Sequence, residues 1–159
     1  MDIKLGYQIY SAREDAEKDL GAVCAQLKEM GYDGVEFAGF YGHSADEVKA
    51  MLDETGLIPI SSHRAIPDTV EEMMEVVAYH KRIGCKFIAV PYLDEAHRPG
   101  AEGFAGMIAK IYQFSRLCKE AGIQLLYHNH DFEFIKLSGM YGLDFLYAAT
   151  PCDVLKTEL

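Results

Sequence analysis

Four times along this chain an amphipathic helical pattern runs into a glycine and then into a short apolar strand: Met30-Gly31-Tyr32, Thr55-Gly56-Leu57, Ile83-Gly84-Cys85 and Ala121-Gly122-Ile123. Successive glycines are 25, 28 and 38 residues apart. That is room for one helix, one strand and two connections. Strand and helix alternating at this period predict a parallel sheet with right-handed crossovers. Glycine suits the junction because the residue after a helix often takes a left-handed conformation that costs other residues more.

The intervening segments fill in the pattern. Ile3 to Ile9 alternates apolar and other residues and predicts a first strand. Leu20, Val23, Cys24, Leu27 and Met30 recur at helical spacing, and Gly34 to Phe37 predicts a second strand. Ser44-Ala45-Asp46-Glu47 matches a capping box and opens a helix with Val48, Met51 and Leu52 inward. Leu57 to His63 predicts a third strand. Asp68 or Thr69 caps the next helix, whose Val70, Met73, Met74 and Val77 are expected to face the core as filler. Phe87 to Tyr92 predicts a fourth strand that Pro91 ends, followed by a polar loop over Asp94 to Gly103. Phe104, Met107, Ile108, Ile111, Phe114, Cys118 and Ala121 form the most regular helical stripe. A fifth strand, a short helix around Leu143, Leu146 and Tyr147, and a sixth strand over Val154 to Leu159 complete the series.

Two architectures can carry such a series. A doubly wound sheet wants a glycine-rich phosphate loop after its first strand, and Ile9-Tyr10-Ser11-Ala12-Arg13 contains no glycine. A barrel gathers polar residues at many strand ends around one mouth. Gln8, Glu36, His63, Tyr92, His128 with His130, and Glu158 fit the barrel.

Chemistry concentrates in Leu125-Leu126-Tyr127-His128-Asn129-His130-Asp131-Phe132-Glu133-Phe134. In an extended chain His128 and His130 point together, with Tyr127 and Asn129 on the other face. Two imidazoles with Asp131 and Glu133 beyond them offer nitrogen and oxygen ligands to a borderline or hard divalent ion. The same pair also reads as structural, hydrogen-bonded histidines. Glu36, set between Val35 and Phe37, faces solvent, a partner or a site, because an ionised group is rarely buried unpaired. His63 ends an apolar run and reads as a surface, capping or site residue.

The 159 residues, half of them apolar, suffice for one domain with a real core. Acidic residues number 25 against 15 Lys and Arg, a formal charge of -10, which repels phosphate backbones and argues against nucleic acid. No apolar run reaches a membrane span, and Met1-Asp2-Ile3-Lys4 lacks the regions of a signal peptide, so a cytoplasmic protein without membrane contact is expected. Cys24, Cys85, Cys118 and Cys152 form no C-x-x-C pair and read as free thiols.

Gly31 to Phe37, the Ser61-Ser62-His63 strand end and Tyr127 to Phe134 together resemble the xylose isomerase-like superfamily of sugar isomerases and epimerases. Hydroxypyruvate isomerase, inosose dehydratase and tagatose epimerase are among its relatives, with endonuclease IV more remote. The resemblance implies an α/β fold, a (β/α)8 TIM barrel, here over residues 1–159 as one domain with about its first six units and an incomplete C-terminal part. It implies a divalent metal (Mn, Mg, Co or Zn) and a small sugar or keto-polyol isomerised by proton abstraction next to a carbonyl. Many members have a metal-binding glutamate where His128 stands, so Glu133 becomes the expected metal ligand. Further ligands are expected beyond Leu159. His130 and Glu133 are expected to act on the substrate, with Glu36, His63, Tyr92, His128 and Asn129 lining its site. A dehydratase acting on an inosose-like ketone begins with the same proton abstraction. A non-catalytic binding module is the alternative of another class. With open sheet edges, the 159-residue segment is expected to lack turnover and to associate, as a homo-oligomer or an aggregate.

Overall fold

A computed structural model describes residues 3–159; Met1 and Asp2, part of the N-terminal stretch read above as no signal peptide, lie outside the described residues. Six strands of an α/β fold follow one another in the hydrogen-bonded order β1 (Gly6–Gln8), β2 (Gly34–Phe37), β3 (Ile58–His63), β4 (Phe87–Val90), β5 (Gln124–His128) and β8 (Leu155–Glu158). The chain divides into two compact units, one comprising residues up to Arg64 with 78–88, the other 65–77 with 89–159. No helix among the described residues is long and apolar enough to cross a membrane.

In the first unit β1, β2 and β3 pair in parallel. Its helices are α1 (Arg13–Ala16), α2 (Leu20–Glu29) and α3 (Ala45–Thr55). Asp19 caps α2 by accepting the Ala22 N–H at 2.9 Å, and Leu20, Val23, Cys24 and Leu27 put its apolar stripe into the core. There they meet Ile9, Val35, Phe37, Val48 and Leu52. Each fully buried side chain of this size contributes roughly 2 kcal/mol. Met30 falls outside the stripe: it follows the last helical residue and is exposed.

The first strand is shorter than the predicted Ile3 to Ile9. Asp33 explains its start, because its carboxylate takes the Leu5 N–H at 2.9 Å and ends the ladder. Ile3 and Leu5 are exposed, and Ile9 turns into a 3-10 helix over Ile9–Ala12. Gly6 and Gly34 lie opposite each other beneath the Ile60 side chain. A Cβ on Gly34 would stand 2.4 Å from the Ile58 carbonyl, so the β2/β3 approach needs glycine.

The second unit holds the end of β4, then α5 (Phe104–Glu120), β5, a hairpin of β6 (Lys136–Leu137) with β7 (Met140–Tyr141), α6 (Gly142–Ala149) and β8. Its core gathers Ile111, Phe114, Cys118, Leu125, Tyr127, Leu146 and Leu155. Helix α4 (Val70–Ile83) starts at Thr69, which exchanges bonds with Glu72 as a capping box does. Met74 was expected to face inward but is 57% exposed. Met73 and Val77 supply the inward stripe, and Met74 lies one residue, about 100°, round from Met73. The fourth strand stops at Val90, two residues before the predicted end, because Pro91 has no N–H to continue the ladder. The β6/β7 hairpin is absent from the sequence-based expectations.

Candidate active site

In the first unit the site begins with register. Gln8 lies opposite Glu36, and a bulge after Val35 brings Ser61 rather than Ile60 opposite Glu36. The extra residue follows Pro59, whose missing N–H already weakens the ladder there. Neighbours in register project to the same side of the sheet, and His63, two residues beyond Ser61, shares that side. The Glu36 carboxylate therefore accepts from Gln8 Nε2 at 2.5 Å and from Ser61 Oγ, and lies 3.2 Å from His63 Nε2. The His63 and Glu36 side chains are 12% and 16% exposed, so the pair is held firmly yet still reaches solvent.

In the second unit β5 pairs with β8 so that His128 lies opposite Glu158, with Nδ1 3.3 Å from Oε1. The chain then leaves the strand. Asn129 turns its amide onto the His130 carbonyl at 3.2 Å, and a 3-10 turn spans Phe132–Phe134. The expected shared strand face of His128 and His130 therefore does not exist, since β5 ends at His128. The turn nevertheless brings the two imidazoles together, with ring centres 5.2 Å apart and perpendicular. His130 stacks on Phe132 at 5.6 Å, and Tyr92 meets His130 edge-on at 5.4 Å.

Glu133 is 2% exposed. One of its oxygens accepts the Tyr127 hydroxyl at 2.6 Å and the other accepts the His130 N–H at 2.8 Å. Burial, reinforced by the hydrogen bond to Glu133 and by its charge, pushes the Tyr127 phenol well above its usual range. Tyr127 is thus a neutral donor throughout the working pH range. Within the second unit His128 and Glu158 together offer an imidazole nitrogen and a carboxylate oxygen to a metal ion. Glu158 was read from the sequence only as one polar strand end. Its signal was its place in the last strand, level with His128. The donor Ser61 depends on the bulge, and no sequence pattern announced it.

Parallel strands with polar side chains at their carboxyl ends define an α/β protein of barrel type. The chain belongs to the xylose isomerase-like TIM barrel family, whose model matches residues 24–145. No curated protein matches it. Among solved structures it is similar to a sugar phosphate isomerase/epimerase from Parabacteroides distasonis, with TM-score 0.79 and 24% identity over 98% of this chain and 64% of that one. A family 2 AP endonuclease from Brucella melitensis gives TM-score 0.70 at 13% identity, covering 98% and 67%. A D-allulose 3-epimerase from Methylomonas sp. gives 0.67 at 14%, covering 98% and 62%. The chain thus spans about two thirds of the length of these proteins.

Proposed function

We propose that this chain serves a divalent-metal-dependent isomerase or epimerase that moves a proton next to the carbonyl of a small sugar or keto-polyol. The observation that carries the reading is an imidazole set against a carboxylate at the ends of parallel strands, His63 with Glu36 in one unit and His128 with Glu158 in the other, in a family of isomerase-like barrels. Neutral nitrogen with anionic oxygen suits a borderline or hard cation such as Mn, Mg, Co or Zn. The His128 and Glu158 pair fits, so we assign these two residues to hold the ion. When bound, the cation polarises the substrate carbonyl and stabilises the negative charge that develops on its oxygen.

In the first unit Glu36, anchored by Gln8 and Ser61, fixes the His63 ring. His130 is the base: its ring lies on the solvent side, pressed against Phe132 and Tyr92, within reach of a substrate held at His128. Glu133 has both oxygens engaged, and we reassign it from metal ligand to the strut that holds His130 by its backbone. Tyr92 and Asn129 complete the wall on that side.

Two measurements test the reading. Calorimetric titration with Mn should show one strong site, weakened at least about tenfold by His128→Ala and by Glu158→Gln. Affinity equal to the parent's in both variants removes the metal assignment. Incubating keto-sugars in deuterated water should place deuterium at the carbon beside the carbonyl, and His130→Ala should abolish that exchange. Exchange that persists in His130→Ala removes the assigned base.

A further inference from the structure

Arg98 is half-buried, and among the described residues it belongs to no ion pair, in a chain with 25 acidic and 15 basic side chains. Its guanidinium is fixed from several sides. Nε donates to the Leu93 carbonyl at 3.0 Å, and Nη2 donates to the Tyr92 hydroxyl. Its central carbon lies 4.3 Å from the centre of the Phe132 ring and 5.0 Å from that of Tyr92. A guanidinium has five N–H donors, and these bonds use two.

The place matters as much as the geometry. Tyr92 follows the end of β4, Phe132 follows the end of β5, and both rings touch His130. Arg98 is thus held by the same two rings that touch the imidazole assigned above as the base. An acidic protein repels an anionic substrate unless a fixed cation receives it. A planar fork held flat by two aromatic rings loses little freedom when it grips two oxygens at once. We propose that Arg98, positioned by Tyr92 and Phe132, recognises a phosphate or carboxylate carried at one end of the substrate. This deepens the isomerase reading and rests on it for the word substrate, although the anion site itself does not need it.

The test uses inorganic phosphate and acetate as probes on the full chain, freed of metal with a chelator so that no anion binds through a cation. The readout is the ring proton signals of His130 and Phe132 by NMR. Phosphate should shift both signals in a saturable way, and R98M should weaken binding about tenfold or more. R98K, which keeps the charge and loses the fork, should weaken it by less. Saturation by phosphate alone supports a phosphorylated substrate, and saturation by acetate with similar strength supports a carboxylate. Signals that do not move at millimolar probe, or equal binding by R98M and the parent, overturn the proposal. If R98M fails to fold by circular dichroism, R98K decides, and unchanged affinity there overturns it. Deuterium exchange into keto-sugars is scored separately. Its failure leaves these shifts readable, and the absence of shifts leaves the exchange readable.

Discussion

Glu36 and Glu133 each gather hydrogen bonds near the end of a strand, but from different sources. The donors to Glu36 come from other strands, Gln8 being 28 residues away and Ser61 25. Those to Glu133 are local, six residues back at Tyr127 and three at His130. One carboxylate therefore reports the register of a sheet, and the other ties down a single turn. Glu36 keeps a path to solvent and faces a histidine, whereas Glu133 is sealed in. The difference predicts that removing Glu133 costs the fold more than removing Glu36.

The largest effect is expected from Glu133→Ala. It leaves the buried Tyr127 hydroxyl and the His130 N–H without acceptors, a loss of about 3 kcal/mol or more. Glu36→Ala, at a site open to water, should cost about 1 kcal/mol. Urea unfolding of the two variants measures both. Equal losses break the comparison.

Gly34→Ala attacks one side alone. Its Cβ would press on the Ile58 carbonyl at 2.4 Å and on Ile60 Cγ1 at 2.9 Å, forcing β2 and β3 apart at a cost of about 2 kcal/mol. Because that pairing sets Glu36 against Ser61, the ring signals of His63 should move while those of His130 stay. Movement of both would show that the two carboxylate sites are not independent. Glu36→Gln is milder. It keeps shape and loses charge, and should shift the ring signals of His63 in NMR spectra, whereas Tyr127→Phe on the other side should leave them in place. Shifts of equal size in the two variants would remove the distinction.

These sites also show what the amino-acid order reveals. The strand and helix series, the glycine stops and the place of Glu36 between Val35 and Phe37 were legible because each rests on local periodicity or backbone conformation. Both Ser138 and Gly139 have positive φ, at 51° and 91°, so the β6/β7 turn carried a readable hairpin signal that went unused. The rest depends on contacts distant in sequence. The bulge that selects Ser61 over Ile60 is a property of two strands together. The meeting of His128 with Glu158 requires the β5/β8 register. His130 reaches its neighbours only because the strand stops short, which alternation cannot predict. Arg98 lay in a segment read as a solvated loop, and only the rings that hold it give it a role.

Glu47 supplies the exposed limit of the same comparison. The Ser44 hydroxyl and the Ser44 N–H both donate to Glu47 Oε2 at 2.7 Å, and the Glu47 N–H returns a bond to Ser44 Oγ at 3.3 Å. These bonds, the hydroxyl first, hold the Glu47 carboxyl below its ordinary value of 4.5. A carboxylate whose folded pKa lies below its unfolded one adds stability that is complete above the unfolded value and fades as pH falls through the folded value. Ser44→Ala should therefore lower Tm by about 3 °C at neutral pH, and the gap between variant and parent should narrow as the solution is taken below pH 4.5. Some gap should persist in acid, because the Ser44 hydroxyl still accepts the Glu47 N–H. Thermal melts at pH 7 and pH 3 measure both parts. A gap that does not change with pH would assign the whole effect to that neutral bond and leave the carboxylate of this helix start without energetic weight, unlike Glu36 and Glu133.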